Sequence, residues 1–245
     1  MGGRDFSSAI HIGRIMIANE GRSDLMRLHQ KVRDSAPALC VLITLSLLFS
    51  GCERVALDER FFDTSLKGWT VIDDPDTIQA PSDWGVEKDG WLHQRSNIWG
   101  KRGDFIGRWY GTYLAAGDSS WKDYHFSVRA KPGDNDGFGV VFRFKDPEHF
   151  YRLFMLDDQM SGGPLTRLDK RNGAEYTEIW SARRGYKVGE EIRIDVELTG
   201  AVIQASINGT ELVQVKDDSY PTGKIGLFCY AQQGQAFDDV RVTLH

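Results

Sequence analysis

The stretch "EIRIDVELTG", residues 191–200, alternates apolar and polar side chains without a break. Ile192, Ile194, Val196 and Leu198 fall on one parity, and Arg193, Asp195, Glu197 and Thr199 on the other. A period of two residues puts one set on each face of an extended strand with a single buried side. "YHFSVRA" (124–130) repeats the pattern with Tyr124, Phe126, Val128 and Ala130. "GFGVVFRF" (137–144) predicts Phe138, Val140, Phe142 and Phe144 on one face, with Arg143 turned the other way beside Gly139 and Val141. "FYRLFML" (150–156) is apolar on both parities, as a central strand covered on both sides would be. Tight-turn pairs separate such runs: Asp89-Gly90 between "WGVE" and "WLHQ", Asn172-Gly173, and Asn208-Gly209. These residues accept the positive φ of short hairpins. No helical period follows Cys52, and neither a repeat nor a Pro-rich linker interrupts the chain. The expectation is an all-β, two-sheet antiparallel sandwich of a dozen or so strands, filling residues 57–245 as one domain.

The 245 residues are 41% apolar and 27% charged, with a net charge of −5. An acidic chain of this kind does not offer the basic face of a nucleic-acid binder. Upstream, Arg27, Lys31 and Arg33 precede "APALCVLITLSLLF" (36–49), and small residues follow. Basic, then apolar, then small is the layout of an export signal. The apolar run is short of the ~20 residues that a spanning helix needs. Its end, Phe49-Ser50-Gly51-Cys52, resembles the lipobox of bacterial lipoproteins, with Phe49 where Leu is usual. That resemblance implies acylation of Cys52 and a signal over 26–51. Residues 1–25 fit no part of a signal and read as a disordered or mis-predicted leader. Residues 52–56 then form a short tether, holding the domain close to a membrane of the cell envelope. Glu53 is not the Asp that retains lipoproteins at the inner membrane, so the outer membrane is expected if the source is Gram-negative. With Cys52 acylated, Cys229 has no intramolecular partner and no disulfide framework is expected.

Six segments resemble, in order, the concanavalin A-like sandwich superfamily and its laminin-G-like and sugar-associated jelly rolls. They are "FFDTSLKGW", "WGVEKDGWLHQ", "YGTYLAAGDSSWKDYHFSV", "DNDGFGVVFRFKDPEHFYRL", "GEEIRIDVELTGAVIQASINGTELVQVKD" and "GKIGLFCYAQQGQAFDDVRV". The bacterial 3-keto-disaccharide hydrolase domain is similar in outline. The resemblance implies a jelly roll with a carbohydrate-related role, and leaves catalysis open because this fold hosts both lectins and hydrolases.

For catalysis, Arg193-Ile194-Asp195-Val196-Glu197 nearly matches the glucanase strand Glu-Ile-Asp-x-Glu, but Arg193 stands where the nucleophile would be. Retaining hydrolysis needs two carboxylates ~5–5.5 Å apart, and an Arg cannot be one of them. The segment therefore reads as a solvated strand face, and no catalytic residue is assigned. His93, His125, His149 and His245 show no ligand spacing.

Asp238 shares parity with the inward Val240, Val242 and Leu244, so it needs a partner unless a bulge intervenes. A structural calcium held by Asp238 with Asp58, Glu59 or Asp63 is one expectation. "GDNDG" (133–137) reads as a hairpin loop. Saccharide sites combine aromatic planes with planar hydrogen-bonders. Trp99, Trp109 and Tyr110 lie in "NIWGKRGDFIGRWYG", a Gly-rich stretch with little reason to bury three aromatics, unless it folds back over a sheet. Arg143, Arg152, Trp180, Tyr230 and Gln232 complete the expected glycan site. The functional expectation is a membrane-anchored, non-catalytic glycan-binding lipoprotein. The alternatives are an enzyme of the 3-keto-disaccharide hydrolase type and a structural envelope protein.

Overall fold

A computed structural model describes residues 53–100 and 108–245. The expected leader, signal and acylated Cys52 lie outside them. The described residues form fifteen strands in two sheets, with no helix. The eight-stranded sheet runs β13 (Thr210–Lys216), β12 (Val202–Ile207), β11 (Ile192–Thr199), β6 (Tyr124–Lys131), β15 (Gln235–Leu244), β4 (Leu92–Gln94), β3 (Trp84–Val86), and β1 (Arg54–Glu59) also pairs with β15. The seven-stranded sheet runs β10 (Glu175–Ala182), β9 (Leu165–Asn172), β8 (His149–Leu156), β7 (Gly137–Asp146), β14 (Lys224–Tyr230), β5 (Thr112–Ala116), β2 (Trp69–Asp73). Every strand pairing is antiparallel. Consecutive strands exchange sheets, as between β6 and β7 and between β13 and β14, which is the crossing pattern of a jelly roll.

β11 keeps the predicted alternation: Ile192, Ile194, Val196 and Leu198 are buried, Arg193 is exposed, and Asp195 and Glu197 are half-buried. Its apolar face meets Phe138, Val140, Leu153, Leu168 and Leu227 of the other sheet in one core between the layers. Asn208 and Gly209 make the β12–β13 turn with φ of 51° and 74°, the left-handed pair that a two-residue hairpin requires. Cys229 is buried and free, a small core hydrophobe.

Two readings of the sequence are corrected. First, the domain begins before residue 57. β1 starts at Arg54 and pairs with the last strand, Arg54 opposite Leu244. Second, Phe138, Val140, Phe142 and Phe144 do not share a face. The β7 register slips between Phe142 and Asp146, and Arg143 takes φ 45° there. A bulge of one residue reverses parity, so Phe144 joins an apolar cluster on the outer side of the sheet. β8 is apolar and buried on both faces, as its sequence predicts, because its outward side lies in that apolar cluster. Phe150, Phe154 and Leu156 face that outer cluster, with Tyr113, Val141 and Phe228, while Tyr151, Leu153 and Met155 face the inter-sheet core.

Candidate functional site

The outer face of the seven-stranded sheet is buried and charged at once. β8 turns Arg152 outward between Phe150 and Phe154, and β9 turns Arg167, Asp169 and Arg171 outward at every second position. Register places Arg152 opposite Asp169, Phe154 opposite Arg167, and Phe150 opposite Arg171. The Arg152 and Asp169 side chains have no exposed surface and are joined by Nε to Oδ1 at 3.2 Å and Nη2 to Oδ2 at 2.9 Å. Such a forked pair is stronger and more directional than a single contact. Burial lowers the hold of the Arg152 guanidinium on its proton, but Asp169, Tyr176 and Tyr113 outweigh it and the net shift is upward. Arg152 therefore stays a cation, stacked 4.3 Å from the Tyr176 ring centroid and 4.6 Å from that of Phe228.

A second buried pair lies beside it. Asp74, just after β2, accepts Arg171 Nη1 at 2.5 Å, Tyr113 Oη at 2.9 Å and the Gly111 N–H at 3.0 Å. Tyr113 and Tyr176 hydroxyls meet at 2.9 Å, and Arg171 donates to both. Burial pushes the Tyr176 hydroxyl up to about 12, so it remains protonated at neutral pH. Gly111 is required here: a Cβ on it would sit 2.0 Å from the Cys229 carbonyl oxygen.

Residues 108–111 lay the lid of this arrangement. Trp109 adopts φ 45°, a strained conformation for a bulky residue and one that collects at ligand-binding sites. Its Nε1 donates to the Ser161 carbonyl at 3.1 Å, its ring packs 5.1 Å from Phe154, and the Arg167 guanidinium stands 5.4 Å from its centroid. Arg152 Nη1 donates to the Trp109 carbonyl at 3.1 Å, so the buried cation fixes the strained backbone. Trp109 is half-buried and stands beside Arg167, a plane and a planar donor together.

Of the residues expected to bind glycan, Trp109 and Arg152 lie on this face, with Arg152 beneath it. Tyr110 is buried, its ring 6.0 Å from Tyr176. Tyr230 is half-buried and packs against the same outer cluster. The other four lie elsewhere. Arg143 is fully buried and gives its N–H groups to the carbonyls of Tyr220, Lys122 and Gly200, because the bulge swings it away from β8. Trp180 packs against the inter-sheet core. Gln232 is buried and donates to the Asp136 carbonyl and the Tyr186 hydroxyl. Trp99 is 36% exposed and joins Ile78 through two backbone hydrogen bonds, near a groove of about 560 Å³ lined by Asp76, Thr77, Ile78 and Gln79. Asp74, Asp169, Arg167, Arg171, Tyr113 and Tyr176 were missed. The usable signal was Arg167, Asp169 and Arg171 at period two beside a strand apolar on both faces.

Each residue expected at the calcium site has a partner within the protein. Asp238 has its partner in Arg129, directly opposite on β6 and 2.5 Å away, and a register shift follows it in β15. Asp58 pairs with Arg241, Glu59 caps the Phe61 N–H, and Asp63 caps that of Ser65. Among the described residues no group of three or more His, Cys, Asp or Glu is placed to hold a metal. On the outer face of the eight-stranded sheet, Asp195 joins His125 and Arg193 in a charged ladder.

The "GDNDG" stretch joins β6 to β7. Asp136 is half-buried within it, and burial, with Asp134 and Asp158, pushes its carboxyl up to about 6. A folded pKa above the ordinary 3.8 means that the native state binds the extra proton between these values, so stability falls as pH rises through 6. Asp136→Asn should stabilise by about 1 kcal/mol at pH 7, after discounting for solvent screening, and by nothing near pH 4. Urea melts at the two pH values check the sign.

A jelly-roll sandwich with an aromatic and arginine-rich outer face is the class that fold and site define. The chain belongs to the family of 3-keto-alpha-glucoside-1,2-lyase-like domains, whose model matches residues 58–243. It is thus a glycoside-related β-sandwich domain. It is 25% identical over 169 residues to an extracellular exo-alpha-L-arabinofuranosidase of Streptomyces chartreusis, covering 63% of this chain and 18% of that protein. The chain therefore spans about a fifth of the curated relative's length. The fold is similar to carbohydrate-binding module CBM66 of Bacillus subtilis, with TM-score 0.55 and 16% identity over 73% of this chain and 97% of that one. A Bacillus subtilis protein of unknown function with a galectin-like fold aligns with TM-score 0.54 and 13% identity, covering 78% and 97% of the two chains.

Proposed function

We propose that the chain is an exported, lipid-anchored protein that holds a glycan against the outer face of the seven-stranded sheet without transforming it. The observation that carries this reading is Trp109: a strained, half-buried indole, pinned by a buried arginine and set beside Arg167. Sugars present apolar C–H faces that stack on such rings, and planar donors take the hydroxyls. Asp74 and Asp169 are each committed to an arginine, which favours a binding platform over an acid–base pair. The glycoside-related family and the extracellular relative support the saccharide and the export. A glycan array probed with the chain from Glu53 onward, which contains every described strand, should light a limited set of saccharides. A blank array would contradict the reading.

The anchor is tested separately. Labelled palmitate should enter the wild-type protein and pellet with membranes, while Cys52→Ser should carry no label and remain in the soluble fraction. Label retained on Cys52→Ser would refute acylation at that position.

A second reading is favoured by the family match: elimination across C1–C2 of a 3-keto-glucoside. In that reading a solvent base takes the C2 hydrogen that the ketone acidifies, the C1–C2 double bond forms as the C1–O bond breaks, and the leaving alkoxide takes a proton from water. Proton NMR of a 3-keto-disaccharide mixed with the protein separates the two readings, since binding alone leaves the glycosidic signal intact.

A further inference from the structure

Among the described residues of the outer face, Arg167 is a guanidinium whose pairing is incomplete. Arg152 has both oxygens of Asp169, and Arg171 has Asp74. Arg167 Nε stands 3.2 Å from Asp169 Oδ2, an oxygen already taken by Arg152 at 2.9 Å, and it is buried without a hydrogen-bond partner. Its other carboxylate contact is Glu178, 3.5 Å away on the edge strand β10 and 49% exposed. Glu178 also accepts the Ser181 hydroxyl. Yet the Arg167 side chain keeps only 13% of its surface exposed. A cation that has lost most of its water and gained one shared and one long-range partner is under-compensated. Its planar fork is shaped for two oxygens of one carboxylate. It also stands over Trp109, the plane assigned above to the sugar ring.

From this we infer that the saccharide taken at this face carries a carboxylate: a uronic-acid unit, its ring on Trp109 and its carboxylate on Arg167. The inference rests on the reading of the face as a saccharide site and specifies the ligand class. Neutral sugars would leave the Arg167 fork to hydroxyls alone, whereas a uronate neutralises it where water is largely excluded. Glu178 competes for the same fork, so it acts as a rim carboxylate that the ligand displaces.

Calorimetric titration of the chain from Glu53 onward tests this with defined probes: tri-galacturonate, tri-mannuronate and a glucuronate-containing tetrasaccharide, each as free acid and as methyl ester, beside cellotriose. At least one free acid should bind at least tenfold more tightly than its ester, which keeps the shape and removes the charge. Arg167→Gln should abolish that preference, lowering the acid's affinity at least tenfold more than the ester's. Glu178→Gln, at an exposed position with little bearing on folding, should raise affinity for the acid several-fold. If acids and esters bind alike, or cellotriose binds best, the uronate class is wrong and the saccharide site stands. If Arg167→Gln fails to fold, an unchanged acid affinity in Glu178→Gln overturns the proposal by itself. Should no probe and no array glycan bind, the saccharide reading falls with it.

Discussion

Asp74→Ala is expected to destabilise the domain by about 3–5 kcal/mol, the range for leaving one partner of a buried ion pair uncompensated. Three donors lose their acceptor together: Arg171 Nη1, the Tyr113 hydroxyl and the Gly111 N–H. The Arg171 side chain is 4% exposed, so water does not readily replace the carboxylate. At roughly 2–4 °C per kcal/mol for a domain of this size, the melting temperature should fall by about 10 °C. Phe62→Ala, at a position 90% exposed, should stay within about 0.5 kcal/mol of wild type and serves as the control. Adding Arg171→Met to Asp74→Ala should recover part of the loss, because removing both charges is far cheaper than stranding one. Equal stability of Asp74→Ala and wild type in a denaturant melt would show that this face is hydrated and that the pair is not buried.

The second large effect is on binding. Trp109→Ala should weaken the tightest array glycan by about tenfold to a hundredfold, or about 1.4–2.7 kcal/mol, the loss of an aromatic platform. Alanine keeps a Cβ and with it the φ 45° strain, which only glycine would relieve. Trp180→Ala is the matched control, since Trp180 packs against the inter-sheet core. It should cost stability and leave affinity within twofold. The opposite pattern, with Trp180→Ala losing the glycan and Trp109→Ala keeping it, would move the site to another surface.

How much of this was legible follows from where each property resides. Alternation in β11 and the Asn208-Gly209 turn depend on neighbours in the chain, and both were readable. The Arg143 bulge was not: one residue with positive φ leaves no mark in an alternating pattern, and it reversed Phe144 and removed Arg143 from the site. Parity correctly demanded a partner for Asp238, but Arg129 could be named only once β15 was known to lie beside β6. Trp109 was singled out by its Gly-rich surroundings. The burial of its neighbour Tyr110 depended on the segment folding back over the sheet, the alternative already visible in the sequence. Arg167, Asp169 and Arg171 of β9 alternate with Thr166, Leu168 and Lys170 and carry no sign of burial in their own segment. Their burial is a property of what lies over them, which the residues of β9 do not encode.

Amide hydrogen exchange of the chain from Glu53 onward, with and without the tightest array glycan, tests the location of the site most directly. Added protection should concentrate at residues 108–111 and along β8 and β9. Protection confined to β11, β12 and β13 of the other sheet, with none at 108–111, would contradict it.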